Sequence, residues 1–153
     1  MSVTVGQKVP DFSVASTGGE LQLSALAGRK VVLFFYPKDN TPGCTNEGSD
    51  FRDQHQAFVD AGAVVLGISR DSLRSHENFR AKFEFPYHLI ADTDEALCAL
   101  FEVIKLKKMY GKEVRGIERS TFVLDQQGVL LHAWRGVKVP GHVDEVLEFV
   151  RSC

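Results

Sequence analysis

One cysteine stands where its surroundings could make it react. Cys44 follows Pro37-Lys38-Asp39-Asn40-Thr41-Pro42-Gly43, a stretch dense in turn-forming residues, which itself follows the apolar run Val31 to Tyr36. Beyond it, Phe51, Phe58 and Val59 recur at helical spacing until Gly62. The sulfur is therefore expected at the start of a helix, just past the carboxyl end of a strand, the crevice in which open α/β sheets hold ligands. The thiolate, not the thiol, is the nucleophile, and the unpaired amides and dipole of a helix N-terminus favour the anion. Thr41, three residues earlier, can offer a hydroxyl that bonds the thiolate or orients an incoming oxygen. A buried structural cysteine is the competing reading, since free cysteines are often core residues. Pro and Gly immediately before Cys44 on a polar loop favour the reactive one.

The chain that must position this residue has 153 residues, 44% of them hydrophobic and 25% charged, as expected of one domain spanning residues 1–153. There is no internal repeat, low-complexity segment or linker to divide it. With 18 Lys and Arg against 20 Asp and Glu, the formal charge is −2, and no basic face for a nucleic acid is expected. The longest apolar run falls far short of the roughly 20 residues needed to span a bilayer. The N-terminus lacks a basic region followed by a continuous apolar stretch, so no secretory signal and a cytoplasmic setting are expected. Three cysteines, Cys44, Cys98 and Cys153, are too few and too widely spaced for a disulfide framework. The five histidines form no ligand-spaced pair and no glycine-rich nucleotide motif is present, so neither metal nor cofactor is expected.

Periodicity supplies the order of elements. Phe12 and Val14, then Leu21 and Leu23, flank Thr17-Gly18-Gly19 as an N-terminal hairpin, after which Ser24 can cap a helical turn ending at Gly28. Val31 to Tyr36 reads as a central strand covered on both faces. The Cys44 helix follows, then a strand over 63–68 and a helix capped by Asp71 or Ser72, with His76 and Phe79 on its packed face. A strand over 87–90 precedes a helix opened by an Asp92/Glu95 capping box. Residues 105–115 read as a basic irregular loop, either a solvated surface or a docking face for an acidic partner. Two strands about Gln126-Gln127-Gly128 and a helix opened by Pro140-Gly141, striped with Val143, Val146, Leu147 and Val150, complete the chain. This order predicts an α/β protein with a thioredoxin-like fold: a mixed central sheet flanked by helices, with an added N-terminal β-hairpin.

Against that background, Pro37-x-x-x-Thr41-x-x-Cys44 resembles the signature loop of the peroxiredoxins. The longer run from Phe35 to Glu47 is similar to the PrxQ, or bacterioferritin-comigratory, subfamily. Gly6-x-x-x-Pro10-x-Phe12, Met109-Tyr110-Gly111-Lys112 and Gly116 to Phe122 resemble the same subfamily, so the likeness runs nearly the whole chain. It implies a thiol peroxidase acting on hydrogen peroxide and organic hydroperoxides without metal or haem. Cys44 would then be the peroxidatic cysteine, oxidised to a sulfenic acid. The resemblance also assigns Arg119, which residue type alone would leave as a solvent-facing strand arginine, to the site beside the sulfur. Pro37 would shield the thiolate and shape the loop, and Glu47, on the first turn of the helix, is read as structural.

The chain departs from the subfamily where a second cysteine is usual. Five residues after Cys44 stands Ser49, and 36 positions after it stands Arg80. Cys98 is expected in the core and Cys153 at a mobile terminus, either incidental or an unusual resolving thiol. The expected cycle is of the 1-Cys type, completed by an external reductant: thioredoxin, glutaredoxin or a small thiol acting on a monomer. A thioredoxin-fold module that senses redox state or binds partners through Cys44, without efficient turnover, is the alternative.

Overall fold

A computed structural model describes residues 2–153. Its main sheet has seven strands. β1 (Ser13–Ser16) and β2 (Gly19–Gln22) form the N-terminal hairpin, followed by a 3-10 turn over Leu23–Leu26. β3 (Lys30–Phe35), β4 (Ala63–Ser69) and β5 (His88–Ala91) run parallel, while β8 (Ser120–Leu124) and β9 (Leu130–Arg135) extend the other edge antiparallel. The spatial order is β2-β1-β5-β4-β3-β8-β9, a mixed sheet with β3 near its middle. All six residues of β3 are buried, as its unbroken apolar run predicts.

Alternation along β3 sorts the core into two layers. Val32, Phe34 and Tyr36 face a layer formed with Phe51 of α1 (Pro42–Asp53), Phe58 of α2 (His55–Asp60), Phe79 of α3 (Leu73–Phe83) and the Val143/Val146/Leu147/Val150 stripe of α5 (His142–Ser152). Val31, Leu33 and Phe35 face the other layer, with Leu97 and Cys98 of the short α4 (Ala96–Leu100) and Phe101, Phe122 and Leu124. No helix among the described residues is long and apolar enough to cross a membrane.

Several local readings need correction. Ser24 caps nothing: its backbone N–H donates to Asp11 Oδ1 at 2.8 Å inside a turn that ends at Leu26. The helix after Cys44 is two helices, broken at Gln54, which serves as C-cap of α1 and N-cap of α2. Asp92 and Glu95 form no capping box. Asp92 accepts from the amides of Leu97 and Cys98, whereas Glu95 sits at φ 61° and turns its carboxylate to Arg70 and Arg115. The expected loop at 105–115 is an antiparallel ribbon, β6 (Ile104–Met109) and β7 (Lys112–Ile117), in a sheet of its own. Tyr110 and Gly111 turn it, at φ 53° and 77°, both in the left-handed region that tight hairpin turns require.

Candidate active site

β3 delivers the chain to a turn, and that turn launches α1. Thr41 is the N-cap, Pro42 the first helical residue and Cys44 the third, which places the sulfur in the first turn as the sequence predicts. Thr45 N–H makes the bond to Thr41 O, at 2.8 Å, so the amides of Gly43 and Cys44 precede the first helical hydrogen bond. The Thr41 hydroxyl donates to Lys38 O at 2.9 Å rather than to the sulfur. Its one proton is thereby used, so the hydroxyl does not bond the thiolate in this state and its oxygen is left to accept. Pro37 is exposed at the head of the turn.

Arg119 reaches this helix end from the residue just before β8. Nη2 donates to Cys44 Sγ at 3.4 Å, and Nη1 to Glu47 Oε1 at 2.6 Å. A Cβ on Gly43 would lie 3.2 Å from Nη2, so glycine there leaves room for the guanidinium. Burial works against the arginine's charge, yet Glu47 and Cys44 outweigh it and raise its value. Cys44 is 2% exposed and Glu47 is fully buried, so both interactions act with little water between them.

Glu47 is more than a surface partner of the helix dipole. Its Oε2 has no hydrogen-bond partner, and burial pushes its carboxyl up to about 7 despite the opposing pull of Arg119. At the next residue, Tyr87 O–H donates to Gly48 O at 2.7 Å and braces α1 against the chain leading into β5. Chain position hides the link between Glu47 and Arg119, because the two are 72 residues apart.

The other cysteines lie elsewhere. Cys44 belongs to the first core layer and Cys98 to the second, with the sheet between them. Burial, then Asp92, pushes the Cys98 thiol well up, leaving an inert core thiol. Cys153 is exposed at the end of α5, where Lys30 Nζ donates to Val150 O at 2.9 Å. Lys30 opens β3 and Cys44 follows its far end, so about 17 Å of strand separates the two regions.

This arrangement, a thiol on a helix N-terminus under a guanidinium, suits attack on an electrophile whose leaving group gains negative charge. Comparison with known proteins agrees. Residues 5–133 match the AhpC/TSA family model. The chain is 47% identical to peroxiredoxin Bcp of Bacillus subtilis over 99% of its own length and 98% of that protein's. It is 53% identical to peroxiredoxin Bcp of Xanthomonas campestris, covering 93% and 89%. Among solved structures, a cysteine variant of Xylella fastidiosa PrxQ superposes with a TM-score of 0.93 at 41% identity, covering 99% and 98%. Structures of the Xanthomonas campestris bacterioferritin comigratory protein, concerned with its alkyl peroxide reduction, superpose at 0.88 with 52% identity, covering 92% and 90%. The family's sequence pattern, its thioredoxin fold and the geometry around Cys44 therefore coincide, and the chain belongs to the AhpC/TSA family as a Bcp/PrxQ peroxiredoxin.

Proposed function

We propose that Cys44 is the peroxidatic residue of this thiol peroxidase and that the cycle is of the 1-Cys type. The observation that carries it is the 3.4 Å approach of Arg119 Nη2 to the Cys44 sulfur at the first turn of α1. Cys44 sulfur attacks the terminal oxygen of hydrogen peroxide or an organic hydroperoxide, forming an S–O bond as the O–O bond breaks. The departing oxygen takes a proton and leaves as water or alcohol. Arg119 and the Cys44 amide would steady charge on the oxygens, the Thr41 oxygen would orient the peroxide by accepting from its O–H, and Pro37 shapes the turn that brings them together.

A thiol reductant then completes the cycle. One thiol condenses with the sulfenic acid and releases water, and a second thiol displaces Cys44 from the mixed disulfide. What supports an external source is the placement of Cys98 behind the sheet and of Cys153 at its opposite end. Thioredoxin, glutaredoxin or a small thiol fills this role in our reading, with residues 1–153 acting as one monomeric domain in the cytoplasm, where thiols stay reduced. A redox-sensing module without turnover is not favoured, given the extent of the peroxiredoxin likeness.

Intact mass after one equivalent of hydrogen peroxide tests the cycle. We expect a dimedone adduct on Cys44 and no loss of two protons. An intramolecular disulfide would overturn the 1-Cys assignment, and an unmodified Cys44 would overturn the role of that residue.

A further inference from the structure

A second buried polar cluster lies behind the Cys44 loop. Asp39, in the turn between β3 and α1, is the residue on which it converges. Its Oδ1 accepts from Tyr36 O–H at 2.6 Å, and its Oδ2 accepts from Ser75 O–H at 2.8 Å and from His76 Nδ1 at 2.7 Å. Its backbone N–H donates to Asp71 Oδ2 at 2.8 Å, an oxygen that also accepts from Ser69 O–H at 2.6 Å. Asp71 therefore grips this residue of the turn through its main chain, Tyr36 through one carboxylate oxygen and α3 through the other.

The orientation of His76 follows from its partners. Nδ1 faces the Asp39 carboxylate, and Nε2 lies 2.9 Å from Ile90 O, a backbone carbonyl. Both ring nitrogens are thus engaged, one by the carboxyl of the turn and one by the backbone of β5, which fixes the ring in one orientation. The two hydroxyls nearby leave this unchanged. Tyr36 and Ser69 spend their protons on Asp39 and Asp71, and approach the ring only at 3.4 and 3.5 Å. His76 is fully buried and the Asp39 side chain is 3% exposed, so this is a hydrogen-bonded polar pair sealed from solvent. Such a pair is a costly device for stability alone, and its best use is to specify one arrangement.

Here the arrangement specified is the approach to Cys44. From Asp39 the chain passes through Asn40, at φ 61° in the left-handed region, to Thr41, the N-cap, and to Cys44 in the first turn. Asparagine adopts that conformation more readily than other non-glycine residues, so it suits a sharp turn between the Asp39 anchor and α1. Pinning Asp39 on one side and α1 on the other fixes the Thr41 hydroxyl and the Cys44 amide relative to the sulfur. We propose that His76 is a positioning residue for the peroxidase reaction: its ring, bound to Asp39, holds the Asp39–Thr41 turn in the geometry that activates peroxide, without touching substrate.

The inference rests on Cys44 as the reacting residue, and the experiment separates the two. The full chain and its Cys44→Ser, His76→Leu, His76→Asn and Ser75→Ala variants are compared in peroxide reduction by stopped flow and in iodoacetamide alkylation of Cys44, with melting curves for each. We expect His76→Leu to slow the peroxide step at least thirtyfold while alkylation changes less than threefold. His76→Asn keeps an N–H toward Asp39 and should recover to within fivefold of wild type, with Ser75→Ala in between. If His76→Leu does not fold, the His76→Asn and Ser75→Ala variants carry the comparison. Each is then expected to lose at least threefold in the peroxide step with alkylation unchanged. Unchanged peroxide rates, or peroxide and alkylation rates falling together, overturn the positioning role. A Cys44→Ser variant that still reduces peroxide overturns the underlying assignment instead.

Discussion

Arg119 Nη1 lies 2.6 Å from Glu47 Oε1 in a pair where the carboxylate is wholly buried and the arginine side chain is 15% exposed. Its other terminal nitrogen is the one that meets the Cys44 sulfur. Glu47 thus aims the guanidinium and competes for its charge.

That competition should appear in the pH dependence of stability. Glu47 is raised from an ordinary 4.5 to about 7 by burial, so the folded state binds more protons than the unfolded one across that interval. Its contribution is fully present below pH 4.5 and is lost as pH rises through 7. Glu47→Gln should therefore match wild type near pH 4.5 and exceed it at pH 8 by up to about 3 kcal/mol, at 1.36 kcal/mol per unit. His142, lowered to about 4 chiefly by burial, bends both curves the other way between 4 and 6.5 and cancels in the difference. Denaturant melts of the two proteins at several pH values check this, and a difference that does not grow with pH refutes it.

Arg119→Ala should slow both peroxide reduction and iodoacetamide alkylation at neutral pH, the former by about a hundredfold or more, as for loss of one donor aimed at developing charge. Arg119→Lys should not restore it, because one ammonium cannot contact Glu47 and Cys44 along two parallel directions. Equal rates for wild type and Arg119→Ala would remove the arginine from the site.

Turnover with dithiothreitol should vanish in Cys44→Ser and persist in both Cys98→Ser and Cys153→Ser. Cys98 is buried in the opposite core layer and Cys153 sits at the other end of the sheet, so neither replacement disturbs the reacting sulfur. Loss of activity in the Cys153→Ser protein would revive that thiol as a resolving group.

Gly48→Ala should destabilise the fold by about 1–3 kcal/mol, the usual penalty for overpacking. A Cβ there would lie 2.7 Å from Phe85 Cζ and 3.1 Å from the Tyr87 hydroxyl, pushing apart the contact that braces α1. Thermal unfolding measures the loss, and Tyr87→Phe should relieve little of it because Phe85 remains.

What the sequence made legible were features carried by local pattern. The all-apolar run of β3, the turn residues before Cys44, the N-terminal hairpin and the Val143–Val150 stripe each came out within a residue or two of the structure. The β6–β7 ribbon stayed hidden because its alternation is brief: Ile104 and Leu106 alternate with Lys105 and Lys107 until Lys108 breaks the pattern, and the lysines make the whole segment read as a charged loop. The Glu47–Arg119 and Asp39–His76 pairs were illegible for another reason. Each joins residues brought close only by the sheet's crossovers, and Glu47, expected on the first helical turn, had a local explanation there, whereas the structure places it beyond that turn.

The same lysines give the ribbon a second property. Among the described residues β6 and β7 pair only with each other, so each leaves an outer row of backbone donors and acceptors open to another chain. Leu106 is 68% exposed and Val114 42%, which would make such a strand sticky. Strand edges dressed with lysine repel their own kind, so the charge that disguised these strands also keeps two molecules from zipping together through them. Exchanging the lysines for threonine would favour strand pairing and bring on aggregation.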